Sequence, residues 1–151
     1  MISFEFYSVP IAKQRPRFGR GQVYTPASTK SWEMAIGQMC KSAMNEPIMS
    51  GAVSVKITIT ERYLDSWPKW KVDARHHIGN TKKPDIDNIL KTVLDGMNGV
   101  AYFDDSQVVA LNVEKSFGEQ TKTSVEVLAL PLVRHNVKNI KEYETQIKEL
   151  S

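Results

Sequence analysis

A single cysteine, Cys40, stands among 151 residues. No intramolecular disulfide can therefore staple the chain, and a reducing, cytoplasmic setting is expected. Cys40 falls in an apolar helical run, where its expected role is packing rather than nucleophilic attack. Histidines number three. Two of them, His76 and His77, are adjacent and cannot share a helix face as a ligand pair, so they read as loop residues and zinc chemistry has no donor cluster. No apolar run approaches the ~20 residues needed to cross a bilayer, and no leader pattern opens the chain; no membrane partner is expected. Internal repeats and low-complexity tracts are absent too. Acidic residues are missing from the whole span between Glu5 and Glu33.

What remains suits one small domain, residues 1–151. A hydrophobic fraction of 41% is enough for an ordinary core. Ile2, Phe4 and Phe6 alternate with polar residues as an opening strand. The stretch from Pro10 to Gln22 is broken by proline and glycine and reads as a basic loop, carrying Lys13, Arg15, Arg17 and Arg20 with Phe18 among them. A helix is expected over 29–44, capped by Ser28 or Thr29, with Trp32, Ala35, Ile36, Met39, Cys40 and Ala43 on its apolar face. Val53, Val55, Ile57 and Ile59 alternate with polar partners as the clearest strand.

A mixed excursion follows between Arg62 and Pro84. Ser66 is placed to cap a short helix reaching about His76, with Gly79 past its end. Trp67 and Trp70 either pin this segment to the core or stack on exposed bases. Lys69, Lys71, Arg75, Lys82 and Lys83 offer phosphate contacts beside them. A strand from about Gln107 and a partner through Val125, Val127 and Ala129 read as an antiparallel hairpin. The tail from Asn136 onward reads as an amphipathic helix bearing Ile140, Tyr143, Ile147 and Leu150, suited to packing or dimer formation. The sum is an α/β (α+β) domain whose mixed sheet of about four strands is packed by helices.

Charge is unevenly spread. The whole chain has 20 Lys and Arg and 17 Asp and Glu. Residues 85–107 hold one of the former and five of the latter, leaving 19 basic and 12 acidic groups elsewhere. An acidic island in a basic chain fits metal-assisted chemistry on a polyanion, where carboxylates hold the cation and bases hold the backbone. Lys83-Pro84 reads as an extended lead-in, after which Asp85 and Asp87 project to the same side. Asp87 then reads as the N-cap of a helix with Ile89, Leu90, Val93, Leu94 and Met97 buried. Lys91 lies one turn beyond Asp87 on the same side. Gly96, Asn98 and Gly99 end the helix, and the chain returns to Asp104 and Asp105. Oxygen-only ligands point to Mg²⁺ or Mn²⁺. Read alone, Asp87 is equally a helix cap and Asp104-Asp105 equally a turn. An EF-hand loop is disfavoured, because Ile89 stands where a ligand belongs.

Taken together, the run Lys83-Pro-Asp-Ile-Asp-Asn-Ile-Leu-Lys91, the run Val93-Leu-Asp-Gly-Met-Asn-Gly-Val-Ala-Tyr102 and the run Asp104-Asp-Ser-Gln-Val108 closely resemble the RusA family of Holliday junction resolvases, proteins common in phages and prophages. The resemblance reaches weakly to Lys13-Gln-Arg-Pro-Arg17 and Tyr24-Thr-Pro26. It implies a homodimeric, Mg²⁺- or Mn²⁺-dependent endonuclease that places paired nicks in four-way junction DNA. The family's aspartates fall on Asp85, Asp87 and Asp105, with Asp104 beside them, and its lysine on Lys91. The implied roles are metal ligation by Asp85, Asp87 and Asp105, auxiliary ligation or orientation by Asp104, and electrostatic stabilisation by Lys91. Two rival readings are a nuclease for other branched or duplex DNA and a non-catalytic DNA-binding protein.

Overall fold

The computed structural model describes residues 1–10, 17–19, 21–24 and 27–150, and of residues 17, 18, 22–24 and 27 it describes the backbone. Strand β4 (Val53–Arg62) carries the strictest alternation in the chain, and the alternation sorts its side chains between core and solvent. Val53, Val55, Ile57 and Ile59 are buried on one face, while Ser54, Lys56, Thr58 and Thr60 stay at least partly exposed on the other. Three strands join it: β1 (Ile2–Phe6), β5 (Val108–Gly118) and β6 (Lys122–Ala129), in the order β1-β6-β4-β5. β6 pairs antiparallel with β1 and β4, and β5 pairs parallel with β4. The sheet is thus mixed and four-stranded, as expected.

The expected hairpin between β5 and β6 does not form; β4 lies between them. A parallel β4–β5 pair needs a long crossover, and residues 63–107 supply it. The short loop from β5 to β6 passes over the end of β4, where the Arg62 side chain donates to the Glu119 carbonyl at 2.9 Å and the Arg62 amide to the Thr121 hydroxyl at 3.1 Å. Alternation identifies a strand and its buried face but not its neighbour, so it does not reveal that β4 lies between β5 and β6.

Two helices cover the apolar face. α1 (Ala27–Ala43) starts two residues earlier than its cap residues suggest. It buries Ile36 and Cys40, with Trp32 against Phe6 at 5.8 Å between ring centroids. Burial pushes the Cys40 thiol up to about 11, so it stays protonated and inert at neutral pH, as its packing role requires. α3 (Ile86–Met97) buries Ile89, Thr92, Val93, Gly96 and Met97. Part of the expected basic loop is a short hairpin, β2 (Arg17–Gly19) and β3 (Gln22–Tyr24), turned at Gly21 with φ +75°. The excursion holds α2 (Lys69–Asp73), capped by Pro68 rather than Ser66, and a 3₁₀ turn over Arg75–His77. Near the C-terminus, α4 (Ile140–Glu149) begins after Asn139, whose side chain accepts the Glu142 amide at 3.0 Å. Its apolar residues Ile140, Tyr143, Ile147 and Leu150 remain exposed, so they do not pack within this chain as core.

α1 and α3 meet where neither has a side chain. A Cβ on Gly37 would lie 2.9 Å from the Gly96 carbonyl, and a Cβ on Gly96 would lie 2.9 Å from the Glu33 carbonyl and from the Ile36 Cβ. Backbone cannot yield as a flexible side chain can. Alanine at Gly96 would gain up to about 1 kcal/mol of helix propensity, but overpacking of this kind costs about 1–3 kcal/mol and has a clash with backbone behind it. Gly96→Ala is therefore expected to destabilise the protein, read as a lower midpoint in urea unfolding. An unchanged or higher midpoint would mean that the two helices separate freely.

Candidate functional site

α3 organises the acidic side chains. Its N-cap is Asp85, not Asp87: Asp85 is extended at φ −68°, ψ 150°, and its carbonyl accepts the Ile89 amide at 3.1 Å. Asp87 lies inside the first turn, so the two aspartates do not share one extended segment. The preceding proline explains the shift, since it keeps Lys83 out of the helix and lets coiling begin at Ile86. Both carboxylates are exposed, and both lie at the positive end of the helix dipole, which favours anions there. Asp85 pairs with Lys83 at 3.0 Å. Lys91 is exposed one turn beyond Asp87, as expected, and among the described residues it has no ion-pair partner.

Asp104 and Asp105 stand at the other end. α3 stops at Met97; a turn through Gly99, φ +77°, brings the chain to the buried Tyr102. The Tyr102 hydroxyl donates to the Leu94 carbonyl at 2.8 Å, which ties the returning segment to the last turn of α3. Burial first, then the neighbouring Asp105, pushes the Tyr102 pKa up, so the phenol stays protonated as a donor. Asp104 and Asp105 follow on the surface. The two aspartate pairs are thus separated by most of α3, on the order of 12–15 Å along its axis at 1.5 Å per residue. Accordingly, among the described residues no three Asp, Glu, His or Cys side chains gather closely enough to hold a metal ion. The chemistry of the donors nevertheless suits Mg²⁺: all are exposed carboxylates, and this ion commonly takes one or two of them together with water and substrate phosphate.

The Asp104 turn is held by a residue the motif reading passed over. The Gln107 side-chain oxygen accepts the amides of Phe103 (2.8 Å) and Asp104 (3.0 Å). Its amide nitrogen donates to the carbonyls of Met49 (2.8 Å) and Gly51 (2.9 Å). All the usual capacity of one carboxamide is engaged between two chain segments. Asp104 in turn accepts the Ser106 amide at 3.3 Å, completing a reciprocal cap around a 3₁₀ turn over Asp105–Gln107. The Asp-x-x-Gln spacing is a capping signal that sequence inspection can find. Just beyond it, the β4–β5 register shifts between Val53 and Ser54, a bulge that sets the strand's departure from the site.

Basic residues divide into free and engaged. Lys69 is exposed. Lys71 lies over the Trp67 ring at 4.3 Å, and Trp67 packs edge-on against Phe117 at 4.8 Å and stacks on Tyr63 at 6.1 Å. Trp67 is therefore the pin, and Trp70, 69% exposed, is the tryptophan left to solvent. Arg75 is turned inward: it donates to the Val72 carbonyl at 2.9 Å and pairs with Glu119 at 3.3 Å. Lys82 pairs with Glu61 at 3.2 Å. Lys13, Arg15 and Arg20 lie outside the described residues, as does the side chain of Arg17. His76 and His77 are exposed on the 3₁₀ turn.

A small mixed-sheet domain that displays exposed carboxylates and an exposed lysine, in a chain rich in bases, has the makeup of a nuclease. The chain belongs to the RusA endodeoxyribonuclease family, whose model, "Endodeoxyribonuclease RusA", matches residues 8–128. It is 31% identical over 132 residues to a protein of Bacillus subtilis (strain 168) called "Uncharacterized protein YqaN", covering 82% of this chain and 93% of that one. It is 27% identical over 135 residues to the "Crossover junction endodeoxyribonuclease rusA" of Lactococcus phage r1t, covering 83% and 95% respectively. α4 falls beyond the family match.

Two outcomes follow from the Asp104 turn. Replacing Gln107 with Ala removes four hydrogen bonds and should cost about 1–3 kcal/mol in urea unfolding. Asp104 is held below the usual carboxylate range by hydrogen bonds from the Ser106 hydroxyl and amide. A depressed folded pKa contributes stability that is present above the unfolded pKa, near 3.9, and lost as pH falls through the folded value. The difference in thermal midpoint between the natural protein and Asp104→Asn should therefore be present at neutral pH and vanish in acid. A difference that persists in acid would mean that the charge is not what holds the turn.

Proposed function

We propose that this endodeoxyribonuclease resolves four-way DNA junctions, as a homodimer that uses Mg²⁺ or Mn²⁺ to place paired nicks. The observation that carries the reading is the placement of Asp85 and Asp87 at one end of α3, Asp104 and Asp105 at the other, and an exposed Lys91 between them, in a chain of the RusA family. When bound, the cation supplies a Lewis acid and an activated water. Within one chain it would be held by Asp85 and Asp87 or by Asp104 and Asp105, either pair completed by water and substrate phosphate.

One chain keeps its two aspartate pairs apart, and this supports the dimer. A twofold axis brings each pair opposite a second copy's surface and gives two equivalent centres for opposing strands. Lys91 faces the substrate phosphate and stabilises the charge that builds there. Lys13, Arg15, Arg17, Arg20, Lys69, Lys71 and Lys83 contact the junction arms through phosphates, which carry affinity without base readout. Lys82 joins them once its Glu61 partner is displaced, and Arg75 serves mainly to hold the excursion to the sheet. Trp70 is free to stack on a base exposed at the branch point. A buried, unpaired Cys40 suits work on DNA in the cytoplasm.

The test is a labelled four-way junction incubated with Mg²⁺, Mn²⁺ or Ca²⁺, beside forks, flaps and linear duplex at equal concentration. Symmetric nicks confined to the four-way junction are expected. Equal cutting of forks or duplex favours a broader nuclease, and no nick with any metal favours a binding protein. Asp85→Asn should keep junction binding while nicking falls below detection. Parallel loss of both would make Asp85 a structural residue.

A further inference from the structure

Asp85 is preceded by a segment that does not hold itself in place. From Gly79 to Pro84 the chain has no regular structure, and Pro84 has no amide hydrogen to offer a neighbouring strand. Its backbone groups must find partners elsewhere. The Lys82 amide finds one on the Asn80 side chain, and the Lys82 and Pro84 carbonyls find theirs on Lys115 of β5. The Asn80 carboxamide donates to Glu61 at 3.2 Å and to the Ser116 carbonyl at 3.3 Å, and accepts the Lys82 amide at 3.2 Å. The Lys115 ammonium, from β5, donates to the Lys82 carbonyl at 2.5 Å and to the Pro84 carbonyl at 2.9 Å.

The last contact reaches the site. The Pro84 carbonyl and the Asp85 nitrogen belong to one planar peptide unit. Fixing that oxygen fixes the plane from which Asp85 enters α3, and so limits where its carboxylate can point. Lys115 makes no ion pair with Asp85, whose salt bridge is to Lys83. Two of its three donors are spent on carbonyls, which leaves it poorly placed as a free phosphate contact. We propose that Lys115 is a positioning residue of the nuclease site: it orients Asp85 for the cation through the Pro84–Asp85 peptide. This rests on the proposed metal-dependent function. Residues that orient metal ligands from behind typically affect metal affinity by about 10–100-fold when removed.

The experiment uses the full chain with Lys115→Met, Lys115→Gln and Lys115→Arg. Three quantities are read: Mn²⁺ affinity without DNA by electron paramagnetic resonance, the Mg²⁺ concentration for half-maximal nicking of a four-way junction, and junction affinity in EDTA. Lys115→Met should weaken Mn²⁺ binding and raise the Mg²⁺ requirement by about tenfold or more, while junction affinity in EDTA is unchanged. Lys115→Arg, which keeps a cation able to bridge two carbonyls, should recover most of the loss. Lys115→Gln, with a single amide donor group, serves where Lys115→Met does not fold, and should show the same shift to a smaller degree.

Unchanged Mn²⁺ affinity in a folded Met or Gln variant would overturn the proposal, as would a fall in EDTA junction binding that matches the loss of nicking. A natural protein that binds no Mn²⁺ would overturn it together with the metal-dependent reading. A natural protein that binds Mn²⁺ but nicks no junction would remove the junction reading alone; Lys115 would then be judged on Mn²⁺ affinity.

Discussion

The contact on which this structure depends is the backbone-to-backbone seat of α3 against α1. Gly37 and Gly96 leave no room for a side chain between the helices. Because they approach so closely, α3 sinks its stripe of Ile89, Val93 and Met97 against the sheet and fixes both its ends. Those ends carry the acidic side chains. Any tilt of α3 would move Asp85 and Asp87 one way and Asp104 and Asp105 the other, since the Tyr102 hydrogen bond ties the latter pair to its last turn. A helix whose interior is locked can display charged residues at its ends without those residues contributing to the core.

β5 provides the second constraint. Its two ends reach the two halves of the acidic stretch by different means: Gln107, just before the strand, closes the Asp104 turn, and Lys115, near its far end, holds the carbonyls that lead into Asp85. Both use side chains to satisfy backbone groups: Gln107 accepts the Phe103 and Asp104 amides, and Lys115 donates to the Lys82 and Pro84 carbonyls. The four aspartates are exposed, so the precision of their placement has to come from these neighbours. An exposed carboxylate left to its own rotamers would lose entropy on every encounter with a cation.

Much of this was legible early. The 3.6-residue stripe of α3, the alternation of β4 and the segregation of acidic from basic residues all depend on local spacing, and each held. Where local spacing is insufficient, tertiary contacts decide. Asp87 reads as a helix cap until Pro84 is given its full weight, and then coiling begins one residue after Asp85. Arg75 reads as a surface base, yet the excursion folds it inward onto Val72 and Glu119. Trp67 and Trp70 are indistinguishable in sequence; Phe117 and Tyr63 select Trp67 for packing and leave Trp70 to solvent.

By itself the sequence determined which residues are candidates for the chemistry and which faces are buried, because both are written in residue type and in periods of two and 3.6. Only the tertiary structure decided that β4 sits between β5 and β6, and that the aspartates stand in two groups rather than one. Strand order is a choice among partners with similar edges, which local spacing does not encode. The separation of the aspartates follows from the helix: Asp85 and Asp87 stand at the start of Ile86–Met97, and Asp104 and Asp105 follow its far end.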